Sequence, residues 1–195
     1  MNRLLSYTSL LVFFSVFALV SSCAPDRNEN TKAFVQELND RKIKRITNAQ
    51  LVSTVDDWGK VLVQNSGKAL TSALTKNTGN KSLCTLNDIP VIQKLEKQYA
   101  ITIGLLTEKD TANPALHPKE RELLAAYQYN AQNKLEQITN IQKINDTLFV
   151  YNAPVDPNDL ICKTCADQAT LPFAVWRVVF NKREVIRRID PKKLK

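Results

Sequence analysis

Glycine and histidine are both scarce in this chain: its 195 residues include four of the first and one of the second, His117. Four scattered glycines form no Gly-rich loop of the kind that cradles a phosphate. A single histidine leaves the serines without a base, and no G-x-S-x-G turn is present, so a serine hydrolase is not expected. Long apolar runs are missing as well. The run at 10–20 is too short for a convincing transmembrane span.

That short run has a different use. One basic residue, Arg3, precedes it, and small residues follow it up to Cys23, which is the layout of an export signal. The "VSSC" that ends at Cys23 resembles a bacterial lipobox, in which the cysteine becomes the lipidated first residue. An ordinary secretory signal with a chance cysteine is the plainer alternative. The expected organisation is a signal peptide at 1–22, a lipid-anchored polar tether at 23–31, and one domain at 32–195. Several acyl chains on one residue give stable anchoring, so the expected location is the cell envelope, with the membrane as one partner. The net charge of +8 is concentrated in "RKIKR" (41–45) and in the last fifteen residues. For an exported chain this excludes nucleic acid as the natural partner; it suits an anionic membrane surface, or simply a solvated face.

With Cys23 assigned to lipid, Cys84, Cys162 and Cys165 remain, and outside the cytoplasm pairs of cysteines tend to oxidise. Three is odd, so one thiol needs another role. The close pair sits in "ICKTCAD", one residue short of the C-x-x-C-H haem-attachment pattern, because Ala166 stands where the histidine would be. A Cys162–Cys165 disulfide is the simplest expectation from the residues themselves. A zinc site using the three cysteines and His117 is a further alternative, with only one motif-like spacing. Carboxylates such as Asp56, Asp57, Glu120 and Glu122 sit at helical positions, where solvation or a helix-dipole role is the ordinary expectation, and no catalysis is expected.

The clearest periodicity lies at 46–76, where Leu51, Val55, Trp58, Leu62, Leu70 and Leu74 form an apolar stripe. Thr47 or Asn48 can cap this long helix, and Gly59 and Gly67 weaken it. A peripheral helix is expected at 31–45. A second helix is expected at about 83–98, interrupted or begun by Pro90. A strand follows at 99–107, then a helix starting at Pro118, and a strand within 135–146. A further strand is expected at 146–155. Two more, joined at Asn181-Lys182, are expected to close the domain. Helices first and strands later predict an α+β fold with an antiparallel sheet.

Four stretches stand in a telling order: the long helix at 46–76, "NKSLCTLNDIPVIQKLEKQYAITIGLLT", "ANPALHPKERELL" and "LFVYNAPVDPNDLICKTC". Together, over about 46–166, they resemble the PAS-like c-type haem family, which occurs in exported proteins and as the sensor part of some bacterial histidine kinases. The resemblance implies a PAS-like antiparallel sheet flanked by helices, with a long N-terminal helix. It implies haem c as cofactor, with Cys162 and Cys165 as attachment thiols and Cys84 as an axial iron ligand. The family's histidine has no counterpart, since Ala166 occupies its place, and Ala112 replaces the basic residue before Asn-Pro. The Gly-rich ending usual in that family is also absent here. The function implied is ligand or redox sensing, or haem binding with incomplete axial ligation, passed on to an envelope protein partner. The alternative is a non-haem structural or interaction module held by a disulfide.

Overall fold

The computed structural model describes residues 46–167 and 173–190. The expectations for 1–22, for Cys23, for the tether at 23–31 and for a helix at 31–45 lie outside the described residues. Among the described residues no helix is long and apolar enough to cross a membrane.

Helix α1 spans Asn48–Lys76. Thr47 starts it with a capping box: its Oγ1 accepts from Gln50 N–H at 3.2 Å, while Gln50 Oε1 accepts from Thr47 N–H at 3.1 Å. The buried line is Leu51, Val55, Gly59, Leu62, Ser66, Leu70 and Leu74, spaced by three or four. Trp58 lies beside that line instead of on it, half-buried, its ring 6.2 Å from that of Tyr99. Gly59 takes the inward position for a steric reason. A Cβ there would sit 2.5 Å from the Tyr151 ring.

The second helix is shorter than its composition suggests. Lys81–Thr85 forms a 3₁₀ turn carrying Cys84, and α2 spans only Pro90–Tyr99, with proline at its start. Proline restricts Ile89 to an extended backbone (φ −110°, ψ 98°), so one continuous helix at 83–98 is ruled out. Strand β1 spans Ile101–Thr107, helix α3 Pro118–Gln132, β2 Asn140–Ile144 and β3 Leu148–Pro154. A six-residue helix, α4, spans Leu160–Cys165 and contains the whole C-x-x-C. Asp159 caps it, accepting from Ile161 N–H at 2.7 Å.

Strand β4 spans Ala174–Asn181, and the second closing strand expected after it is a helix, α5, Lys182–Arg188. The residues explain the correction. Asn181 is followed by no glycine able to make a tight hairpin, and its Oδ1 instead caps the helix by accepting from Arg183 N–H at 2.9 Å. Glu184 lies in the first turn and Arg187 and Arg188 in the last, as the helix dipole favours. Val185 and Ile189, four apart, turn inward together.

The fold is α+β, and its four strands form an antiparallel sheet in the order β1-β4-β3-β2. Alternation along the strands divides the sheet into two faces. Ile103, Phe149, Tyr151, Ala153, Trp176, Val178 and Phe180 point to α1 and form the larger core with its buried line. Leu106 and Val175 point the other way, to Leu124 and Tyr127 of α3. Each fully buried Leu or Phe of the larger core contributes about 1.5–3 kcal/mol relative to exposure.

Candidate functional site: a groove beside a disulfide-pinned helix

Two of the three cysteines meet, in a pairing the sequence did not suggest. Cys84 is bonded to Cys165 across 81 residues, with the Cα atoms 5.6 Å apart. Cys162 remains a thiol outside the bridge. The expected Cys162–Cys165 disulfide is therefore corrected, and the cause is the α4 helix. It turns Cys162 into the interior between Ala166 and Ala174, while half-buried Cys165 meets the 3₁₀ turn that presents Cys84. Burial pushes the Cys162 thiol above its ordinary range, and the carboxylates of Glu108, Asp159 and Asp156 push it the same way. Such a thiol is a poor nucleophile.

This bridged arrangement does not fit a c-type haem. Cys165 has no thiol left for a thioether, Cys84 has none for iron, and Cys162 is buried in a cluster with Ala166, Ala174, Leu105 and Val155. Ala166, in the place of the axial histidine, is itself buried. His117 is committed elsewhere: it caps α3, its Nδ1 accepting from Lys119 N–H at 3.3 Å. Among the described residues no group of three or more His, Cys, Asp or Glu side chains is arranged to hold a metal ion.

Beside the bridge lies a groove of about 570 Å³, between α1 and the end of the sheet. Val63 and Gly67 of α1, Val155 beyond β3, Ile161 of α4 and Trp176 of β4 supply apolar walls. Nothing lies within 4 Å of where a Cβ of Gly67 would be, so this glycine widens the groove. Charge enters from two sides. Lys68 comes from the helix, Asp156 and Asp159 from the opposite wall. One carboxylate oxygen of each aspartate accepts a backbone N–H at 2.7 Å, from Asn158 and Ile161 respectively. Those bonds fix both aspartates in place. Among the described residues no ion pair joins Lys68 to either of them.

On the opposite face a second polar feature escaped the sequence. Glu120, expected to be solvated or to complement a helix dipole, lies in the first turn of α3 but is buried, and Arg177 Nε donates to its Oε1 at 2.6 Å. Its Oε2 accepts from His117 N–H at 3.2 Å. The alternating pattern of β4 could have exposed this, because Arg177 falls between Val175 and Val179 on the inward side of that face. Comparisons with family models, with curated proteins and with solved structures find no match for this chain.

Proposed function

We propose that this chain is an envelope lipoprotein, anchored by lipid at Cys23, whose PAS-like domain binds a small molecule in the groove between α1 and the sheet. The domain is a sensor without catalysis, and occupancy is passed to a protein partner in the envelope. The observation that carries the proposal is the groove itself. One of its walls, at Asp159 and Ile161, is the start of α4, the helix whose last residue is bonded to Cys84. The groove combines apolar walls with a few charged groups, a mixture common in small-molecule sites.

In this proposal the disulfide uses Cys84 and Cys165, two of the sulfurs that the family resemblance assigns to haem. A disulfide typically contributes about 2–4 kcal/mol, and loop-closure entropy alone gives about 4.5 kcal/mol for a loop of 81 residues. A purely structural or interaction module is the second reading, and the same bridge favours it, since stapling alone would explain the two cysteines.

Three measurements decide between them. Native material from the envelope fraction is expected to show no Soret band; a Soret band would restore haem. Replacing Cys23 by Ser is expected to release the chain from membranes, and unchanged retention would refute the lipid anchor. The purified chain is expected to bind the apolar dye anilinonaphthalene sulfonate, and Gly67→Trp, which fills the groove, to abolish that binding without loss of helix content. Dye binding that is absent, or indifferent to Gly67→Trp, favours the structural module.

A further inference from the structure

The C-x-x-C is the motif that the proposed function leaves without a use. Helix α4 places Cys162 and Cys165 three residues apart on the same short element. Side chains at that helical spacing are neighbours, with Cβ atoms about 5–6 Å apart. Their surroundings are shared as well. Leu105 and Val155 pack both against the cluster that contains Cys162 and against the larger core that Cys165 joins. The third sulfur, Cys84, is bonded to Cys165, with the Cα atoms 5.6 Å apart. A thiol thus stands beside a disulfide, one half of which belongs to its own helix. Both bridged cysteines are only half-buried, which leaves the bridge open to small thiols.

Chain entropy does not choose between the two partners of Cys84. The stabilisation from closing a loop varies with the logarithm of its length, and exchanging Cys165 for Cys162 shortens a loop of 81 residues by only three. The orientation of α4 makes the choice instead. Positions three apart in a helix differ by about 60° around the axis and about 4.5 Å along it, a small displacement for an element of six residues.

We infer that Cys84 exchanges its bond between Cys165 and Cys162, so that α4 has two covalently fixed orientations. Cys162 Sγ gives up its proton and attacks Cys84 Sγ. The Cys84–Cys165 bond breaks, and Cys165 leaves with the electron pair and takes up the proton. One S–S bond forms and one breaks, so no oxidant or reductant is consumed. Burial favours the protonated Cys162 thiol and slows the direct step; a small thiol in the medium catalyses it through a mixed disulfide and is returned unchanged. Asp159 and Ile161 turn with α4, so the bridge in force sets the wall that the groove presents. The exchange itself does not depend on what the groove binds.

The test is disulfide mapping on the full chain carrying Cys23→Ser, which leaves only the three sulfurs concerned. The chain is held in a mildly alkaline buffer of reduced and oxidised glutathione, quenched with acid and blocked with N-ethylmaleimide. Trypsin then cuts at Lys163, between the two cysteines, so mass spectrometry reads their states on separate peptides. The expected result is a main form blocked at Cys162 and a second form, about 1–10% of the bridged chains, blocked at Cys165 with Cys84 bonded to Cys162. Cys165→Ser is expected to oxidise to Cys84–Cys162 with unchanged helix content, and Cys162→Ser to keep Cys84–Cys165 as its single form. A parent chain in which Cys165 is never blocked while Cys84 is bridged overturns the inference. So does a Cys165→Ser chain that keeps its helix content but has Cys84 and Cys162 both blocked. If Cys165→Ser fails to fold, the map of the parent chain decides alone. None of these failures touches the groove reading, which dye binding tests separately.

Discussion

The two faces of the sheet are held by different physics. Toward α1 the contact is apolar apart from the buried Ser66, and its tightest point is a glycine: Gly59 lets the Tyr151 ring rest against the helix backbone. Toward α3 the apolar cluster is smaller, and polar bonds connect the layers. Arg177 reaches Glu120, Tyr127 Oη donates to Ile138 O at 2.8 Å, and Gln142 Nε2 donates to Lys119 O at 2.8 Å. Apolar packing tolerates any partner of suitable shape, so the α1 side can open a groove at its end without losing a specific bond. The α3 side has directional bonds whose loss strands a buried group. It reads as the fixed side of the domain, and the α1 side as the one able to accommodate a ligand.

The sharpest test of this contrast is Arg177→Met. It leaves the Glu120 carboxylate buried without its cation and is expected to cost about 3 kcal/mol, the low end for a broken buried pair because Arg177 keeps some exposure. Adding Glu120→Gln should recover most of that loss in urea unfolding. A double variant no more stable than the single one would mean that the pair does not stitch this face. Next in size is Gly59→Ala. Its Cβ would overlap the Tyr151 ring, and overpacking of this kind costs about 1–3 kcal/mol, seen as a lower midpoint in thermal unfolding.

Tyr127→Phe removes one hydrogen bond and is expected to cost about 1 kcal/mol at neutral pH. It also carries a pH signature. Burial, with a smaller contribution from Tyr151, pushes the Tyr127 phenol up to about 12 from an ordinary value near 10. The folded state thus favours the neutral phenol. Its contribution is complete below pH 10 and is lost as pH rises toward 12. Stability measured across that interval should fall less steeply in Tyr127→Phe than in the parent chain. The smallest effect is expected at Gly67→Ala, where nothing lies within 4 Å of the new Cβ. Ala in place of an interior helical Gly should raise stability by about 0.5–1 kcal/mol. Placed together, Gly59 and Gly67 test whether one helix contains a contact glycine and a groove glycine.

Much of this architecture is legible in the residues. The stripe from Leu51 to Leu74, the start of α3 at Pro118 and the strands around 101–107 and 148–154 follow from periodicity and punctuation. Trp58 and Gly59 show where periodicity fails. The pattern assigns the larger apolar residue to the core, but Tyr151, nearly a hundred residues away, needs the space of the smaller one. Glu120 shows the same limit for charge, since a carboxylate in a first helical turn looks solvated until a strand brings Arg177 to it. At Asn181 the miss was local: the capping asparagine and the charge order of "NKREVIRR" were present, but β-branched residues outweighed them.

The sequence alone determined most of the helices and strands, α4 and α5 excepted, because hydrophobic spacing, proline and capping residues act over a few neighbouring positions. It also determined that Cys84, Cys162 and Cys165, being three, could not all pair with one another. Only the tertiary structure decided which of them do. Whether Cys165 bonds to its near neighbour or to Cys84 depends on where a short helix points each sulfur, and that direction is set by packing against Ala174 and the rest of β4. The groove has the same origin: its opposing charges come from segments almost ninety residues apart and acquire a shared space only when α1 lies across the sheet.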